Sequence, residues 1–366
     1  MTRLEEVQAK LERLRSWMAE QNFGTVMLNT QADFAWITAG GDNHVLLTTD
    51  TGICRVVITA SGQYVLTNNI EAPRLEAEEL EGLPFEIVFD DWHDQDYDAA
   101  LAKIATGAIA SDTDYLIEAQ NRASDIAHLQ YALLPSEQER YRWAGAQCSA
   151  AMTEVVREIV PGMTEDAISG LMLQKVKARG IDPVVSLIAT DERALKFRHP
   201  IPKSAVLKEH AMLVLCGRYT GLVVSVTRMV HFGELSQELI DKHRAVCTVD
   251  ACFNLESQPG APVADIFAQG VEAYAATGYP DEWRLHHQGG GTGYASRTFK
   301  GGYNSLETVL EGEAFAWNPS ITGTKSEDTI LAKAGGPEFL SAPVDWPMIE
   351  VEWKGQKLSR ADILVR

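Results

Sequence analysis

Three short segments of the sequence carry side chains that could do chemistry. The first ends in Arg198-His199-Pro200, the second is His286-His287-Gln288, and the third runs from Lys325 to Thr329. An unperturbed imidazole has a pKa of about 6.5, so a histidine can both take and give a proton near neutrality. Guanidinium and ammonium groups recognise carboxylates and phosphates. These residue types therefore suit proton transfer to or from a small polar molecule.

The bulk composition excludes several classes of partner. A formal net charge of −19 over 366 residues argues against nucleic acid or an anionic membrane, since both need a surplus of Lys and Arg. No apolar run approaches the roughly 18 residues of a membrane span, and the charged amphipathic start lacks the apolar centre of a signal peptide. Five scattered cysteines favour buried free thiols in a reducing compartment. We expect a cytoplasmic protein that needs neither a membrane nor a nucleic acid.

The chain divides into two parts that have different predicted patterns of helices and strands. The first part alternates helix and strand signals, with predicted strands that include 34–38 and 45–49. Ser136, with Glu139 three residues later, predicts a capping box that opens a long helix toward Ile159. The later part predicts strands at 212–215, 222–231 and 315–317, with helices at 237–255 and 263–276 between them. Helices grouped around a largely antiparallel sheet indicate an α+β fold for this half.

The order and spacing of several motifs resemble the creatinase/prolidase/methionine-aminopeptidase superfamily, the "pita-bread" fold of M24-like peptidases. The two-domain creatinase and prolidase branch is the most similar. The resemblance implies an α+β chain, in which a smaller creatinase-like α/β domain at 1–134 precedes a pita-bread domain at 135–366. The motifs that carry it are Pro161-Gly162-Met163-Thr164-Glu165, Arg198-His199-Pro200, Met212–Gly233, Gly289–Gly293 and Lys325–Thr329.

The resemblance also shows that the metal-binding chemistry of the family is mostly missing here. Two ions about 3.5–4 Å apart need bridging carboxylates and an imidazole. One of the five family ligands, Glu327, is retained. The other four positions fall on Val214, Ser225, Gly290 and Asn318. Such a set does not supply the several anionic or imidazole donors that a Mn, Co or Zn pair requires. We therefore predict no metal and no other cofactor.

Creatinase is the metal-free precedent that the resemblance offers. Its proton-transfer histidine matches His199, so we predict that His199 is catalytic, with substrate binding alone as the alternative. Adjacent residues on a strand point to opposite faces, so we expect only one imidazole of the His286-His287 pair to enter the same cavity, and we choose His287. A substrate-site histidine of the family falls on Arg297.

The remaining residues of the predicted site provide cations, hydrogen-bond donors and one aromatic wall. For Arg228 and Lys325 the alternative is pairing with Glu327 and Asp328, because an unpaired buried charge is costly. The neutral groups where creatinase places acidic ones disfavour creatine and favour an anionic or neutral polar molecule. The predicted substrate-binding residues are His287, Arg198, Tyr219, Ser225, Arg228, Arg297, Trp317, Asn318, Lys325 and Glu327.

Three functions remain open from the sequence. The first is a metal-independent hydrolase of a C–N bond in a small amide, dipeptide-like or amidino substrate. The second is a catalytically inactive aminopeptidase- or prolidase-like protein, a pseudopeptidase that binds a small ligand or a partner. The third is a divergent Xaa-Pro peptidase with a relocated metal set such as His286, His287, Glu327 and Asp328. The resemblance further implies a homodimer in which Trp36, Asn43 and His44 approach the partner's site, with an ordinary loop as the alternative.

Overall fold

The computed structural model describes residues 1–114 and 118–366, which form two compact units. Unit 1 comprises Met1–Glu137 and Thr220–Leu222, and unit 2 comprises Gln138–Tyr219 and Val223–Arg366. Within the described residues, no helix is both long and apolar enough to cross a membrane.

Unit 1 is built on a mixed six-stranded sheet of order β4-β3-β2-β1-β5-β6. Its strands are β1 (Thr25–Thr30), β2 (Thr51–Thr59), β3 (Gln63–Asn68), β4 (Glu86–Asp90), β5 (Ile109–Ser111) and β6 (Gln120–Asn121). Its helices are α1 (Arg3–Gln21), α2 (Gln31–Ile37), α3 (Ala72–Arg74, continued by a π turn at Leu75–Glu79), α4 (Tyr97–Ile104) and α5 (Ala123–His128). The β1–β2 and β2–β3 pairs are antiparallel, whereas β1–β5 and β3–β4 are parallel.

Two local predictions for unit 1 are wrong. Residues 34–37 lie in α2 rather than in a strand, because Thr30 caps a helix by accepting a hydrogen bond from the Asp33 N–H. Trp36 is consequently fully buried, and Asn43 is buried as well, so neither offers a surface to a partner. The exposed triplet 45–47 is not a strand.

The long helix α6 (Pro135–Glu158) begins with a proline, which fits a first helical turn because that position has no use for an N–H. The predicted capping box is wrong. The Leu134 N–H donates to the Glu137 carboxylate at 2.7 Å, and the Ser136 hydroxyl donates to Glu6 at 2.6 Å. The start of the helix is therefore held by a carboxylate three residues on, and by a contact with α1.

Unit 2 contains two four-stranded sheets, of orders β18-β9-β8-β7 and β10-β11-β14-β15. The strands are β7 (Asp182–Thr190), β8 (His210–Tyr219), β9 (Leu222–His231), β10 (Gly289–Thr292), β11 (Ala314–Trp317), β12 (Ser320–Ile321), β13 (Thr324–Lys325), β14 (Asp328–Leu331), β15 (Glu338–Phe339), β16 (Met348–Trp353), β17 (Gln356–Ala361) and β18 (Leu364–Val365). The helices are α7 (Glu165–Lys177), α8 (Glu192–Lys196), α9 (Gln237–Glu256) and α10 (Val263–Ala276), with a 3-10 turn at Glu282–Leu285. Helices packed against antiparallel sheets confirm the α+β class.

The core of unit 2 lies between α9, α10 and the β10–β11–β14 sheet. Phe253 of α9 stacks on Trp317 of β11 with ring centroids 4.6 Å apart, and Phe315 of the same strand also stacks with Trp317 at 5.7 Å. The Trp317 indole N–H donates to the Ser257 hydroxyl at 2.8 Å, so its polar atom is satisfied. This packing fixes the strands that carry the candidate site. The five cysteines are all buried and free.

Candidate active site

Side-chain and backbone hydrogen bonds join β9 to residues 327–329, at the start of β14. The Ser225 N–H donates to the Thr329 hydroxyl at 2.8 Å, and the Thr227 N–H donates to the Glu327 carbonyl at 3.1 Å. On β11, Trp317 pairs with Asp328, so the next residues, Asn318 and Glu327, lie opposite each other. The structure therefore brings Ser225, Asn318 and Glu327 into one region, as the sequence predicted.

Glu327 is held by cations rather than by metal-ligand partners. Its carboxylate accepts from Lys325 Nζ at 2.7 Å, from Arg297 Nη2 at 3.1 Å and from the Thr227 hydroxyl at 2.6 Å. Burial alone would raise the pKa of Glu327, but the two cations and these hydrogen bonds outweigh it and lower the pKa to about 2. Glu327 is thus an anion paired with two positive side chains.

The neighbouring carboxylates belong to a separate, fully buried ion network. Asp328 accepts from Arg228 at 2.9 Å and from Arg360 at 2.8 Å, and Arg360 also pairs with Asp250 at 2.6 Å. Arg228 is about 1% exposed and also donates to the Ser341 carbonyl. Arg228 therefore cannot reach a substrate. The prediction that it binds substrate is wrong, and its contacts are structural.

Three imidazoles lie close together within the electrostatic influence of Lys325, Arg297 and Glu327. His286 Nε2 lies 3.0 Å from His199 Nε2, and their rings meet edge to face with centroids 4.8 Å apart. The His287 ring lies 5.5 Å from that of His199. The expectation that only one of the adjacent histidines would enter the site is wrong. Residues 286 and 287 lie before β10, outside a regular strand, so their side chains need not alternate.

All three imidazoles are neutral at neutral pH. Burial, followed by the charge of Lys325, lowers the pKa of His286 to about 2. Burial, followed by the charge of Arg297, lowers that of His287 to about 4. Desolvation of the His199 ring by neighbouring groups, followed by the charge of Lys325, also lowers the pKa of His199, although part of this residue stays in contact with solvent. A lowered pKa leaves the unprotonated, basic form of His199 dominant near pH 7.

The tautomer of His287 follows from its backbone contact. The Gly289 N–H donates to His287 Nδ1 at 3.3 Å, so in the neutral ring Nδ1 is the acceptor and the proton is on Nε2. His287 consequently offers an N–H donor.

Two buried polar atoms of the site have no partner among the described residues. They are the side-chain oxygen of Asn318 and Nε of Arg297. Asn318 is about 3% exposed, so water does not satisfy it freely. Unpaired buried polar groups cost free energy, and natural proteins leave them mainly where a ligand or an ordered water completes the set. These two atoms therefore suit a polar ligand.

Other predicted residues have structural roles. Trp317 is fully buried in the core, so its predicted role as a cavity wall is wrong. Arg198 is bound by Glu282 at 2.6 Å and by the Thr322 hydroxyl at 3.0 Å. Tyr219 packs on the Trp143 ring at 4.3 Å. These contacts follow from long-range packing, which no local motif encodes.

The family's metal pair does not fit these residues. Val214 is buried in an apolar cluster with Met212 and Met229. Gly290 has a φ of 150°, and a Cβ there would lie 2.4 Å from the Phe299 carbonyl oxygen, so no side chain can extend from it. The negative charge of Glu327 is already balanced by Lys325 and Arg297.

A single ion between the three histidines is another metal candidate at this site. One ring nitrogen each of His199, His286 and His287 lies within 4.8 Å of the others. However, the charges of Lys325 and Arg297 act on the same imidazoles, and their repulsion opposes a dication there.

Comparisons with known proteins agree on one family. The sequence model described as metallopeptidase family M24 matches residues 139–334. An uncharacterized peptidase of Staphylococcus aureus strain MW2 is 22% identical over 344 residues, which cover 86% of this chain and 95% of the relative.

Solved structures with the same fold cover nearly the whole chain. A Xaa-Pro dipeptidase from Bacillus anthracis superposes with a TM-score of 0.77 at 16% identity, over 98% of this chain and 100% of that chain. The N-terminal domain of FACT complex subunit SPT16 from Cicer arietinum has a TM-score of 0.71 at 12% identity, over 93% of this chain and 97% of that one.

Proposed function

The chain belongs to metallopeptidase family M24, and from that premise we propose that it hydrolyses a C–N bond in a small amide, dipeptide-like or amidino substrate without the family's metal pair. His199 is the proposed proton-transfer group. The observation that carries the proposal is the cluster of neutral imidazoles beside a Glu327 carboxylate that two cations already neutralise.

The proposed reaction needs one base and one hydrogen-bond donor. His199 takes a proton from water as the water oxygen bonds to the carbonyl or amidine carbon. The Nε2–H of His287 donates to the substrate oxygen or nitrogen on which negative charge develops. When the C–N bond breaks, His199 returns its proton to the leaving nitrogen, so protons and electrons balance.

The charge of the site favours a substrate with an anionic group. Lys325 and Arg297 carry two positive charges against the single negative charge of Glu327, and the three imidazoles are neutral. One positive charge therefore remains in excess. Both site groups that lack a partner among the described residues can contribute: Arg297 Nε can donate to a carboxylate of the substrate, and the Asn318 side-chain oxygen can accept from a substrate N–H.

The test is a screen for amine release from N-acyl amino acids, free dipeptides and guanidino acids, with protein prepared in EDTA. We expect turnover that survives EDTA and falls by about 100-fold or more in His199→Ala. His93→Ala, at an exposed histidine of unit 1, is the matched control and should leave the rate unchanged. Turnover that EDTA abolishes, or that is unchanged in His199→Ala, would overturn the proposal.

A second candidate is a ligand-binding protein without turnover. Its supporting observation is that Lys325 and Arg297 are both already bound to Glu327. The fold alone does not fix peptidase activity, since a FACT complex subunit shares it. Calorimetry separates the two candidates: binding of a screened compound with no amine release, unaffected by His199→Ala, would favour this one.

A further inference from the structure

His286 lies between the exposed His199 and the buried Ser320. Its Nε2 is 3.0 Å from His199 Nε2, and its Nδ1 is 3.4 Å from the Ser320 hydroxyl oxygen. Both nitrogens of His286 are thus engaged, and one of them is engaged with the residue proposed to move the proton.

The backbone around His286 is held in place by a hydrogen-bond network. The Gln288 side chain donates to the His286 carbonyl at 2.5 Å and accepts from the Tyr274 hydroxyl at 2.8 Å. The Ser320 N–H donates to the same Tyr274 hydroxyl at 3.0 Å. One tyrosine therefore fixes the segments on both sides of the His286 ring.

The contact between the two Nε2 atoms restricts what His199 can do. One of them must carry the hydrogen and the other must accept it. In either arrangement His199 Nε2 is occupied, which leaves Nδ1 as the nitrogen free to meet a water or a substrate.

The two arrangements differ in chemistry. If His199 donates, its Nδ1 has a lone pair and is a base. If His286 donates, His199 carries its hydrogen on Nδ1 and cannot accept a proton there. Only the first arrangement supports attack by water, and it places the His286 hydrogen on Nδ1, where Ser320 can accept it.

We propose that His286 is a positioning residue that holds His199 as its Nε2–H tautomer and leaves Nδ1 of His199 as the working base. This inference rests on the proposed function of His199. His286 stays uncharged, so it accepts the hydrogen bond without competing for the proton. An orienting histidine thus does here what an orienting carboxylate does in other catalytic pairs.

Nitrogen-15 NMR of histidine-labelled protein reads the tautomer directly, without any substrate. His199 signals are assigned by their loss in His199→Ala. We expect the Nε2–H form of His199 in the wild type and in His286→Gln, whose amide oxygen can still accept. In His286→Phe, which keeps the ring but has no acceptor, we expect a mixture of both tautomers. An Nδ1–H form or a mixture in the wild type, or an unchanged tautomer in His286→Phe, would overturn the inference.

Kinetics on a substrate from the screen add a second readout. We expect His286→Phe to lower kcat by about 100-fold with little change in KM, and His286→Gln to restore most of it. Equal losses in the two variants would overturn the positioning role. Failure of the proposed function can be told apart from failure of this inference. If the proposed function were wrong, His199→Ala would leave turnover unchanged, whichever tautomer the NMR reports.

Discussion

Replacing the Glu327 carboxylate with an amide removes the one anion that pairs with Lys325 and Arg297 among the described residues, while keeping the volume of the side chain. Lys325 and Glu327 are about 4% and 2% exposed, and Arg297 is about 16% exposed at its side chain. Breaking a buried ion pair by removing one partner costs about 3–5 kcal/mol, because the remaining charge stays buried without compensation. We therefore expect Glu327→Gln to destabilise unit 2 by about that amount.

Differential scanning calorimetry in EDTA provides the measurement. For a domain of roughly 200 residues the cost corresponds to a fall in Tm of about 6–20 °C. The double variant Lys325→Met/Glu327→Gln should regain most of the loss, because it leaves one fewer buried cation. Glu192→Gln, at an exposed pair with Lys196, is the control and should leave the Tm nearly unchanged, because solvent screens this pair.

Two results would refute this reasoning. One is a Glu327→Gln protein as stable as the wild type. The other is a double variant no more stable than the single one. Either result would mean that other groups stabilise the charges of Lys325 and Arg297, and that the Glu327 carboxylate is available for other chemistry.

Four further outcomes follow from the site and its core. Elemental analysis of freshly purified protein should find no stoichiometric pair of Mn, Co or Zn; two ions per chain would contradict the account of the lost ligands. A buried neutral His286 binds fewer protons folded than unfolded, so stability should fall as pH drops below about 6.5, and urea titrations of His286→Phe should show a slope shallower than wild type by up to about 1.4 kcal/mol per pH unit. Arg297→Met should raise KM by about 10-fold for substrates with a carboxylate and much less for neutral amide analogues, so equal effects on both would remove Arg297 from substrate binding. Trp317→Ala should cost about 3–5 kcal/mol in a denaturant titration with the secondary structure retained at low denaturant; a small cost would place Trp317 outside the core. The homodimer stays a prediction, which sedimentation equilibrium tests: a monomer at micromolar concentration would contradict it.

Several long helices and strands were predictable from the sequence because their signals are local. The helix at 263–276 and the strand at 222–231 have the predicted bounds, and α9 ends one residue later than predicted. The family and its pita-bread fold are confirmed by the matching M24 model and the superposed dipeptidase. Motif order over the whole chain carried that information, although no single motif did.

The site was less predictable because its contacts join residues that are far apart in sequence. The pairing of Lys325 with Glu327 was foreseen as an alternative, since charge and spacing suggest it. The contact of His286 with His199 was missed, because an argument from strand alternation was applied to a segment that is not a strand. The adjacent pair of histidines was the available signal. No local sequence signal marked Ser320, because its contact with His286 depends on how distant parts of the chain fold together.

The backbone at Gly290 bears on how this site could change over generations. Its φ of 150°, with the Phe299 carbonyl oxygen 2.4 Å from any added Cβ, leaves no room for the histidine that the family resemblance implies there. A Gly290→His substitution alone would therefore clash with backbone. The facing 299–301 segment would have to move before an imidazole could occupy this position, so one substitution would not create a metal ligand here.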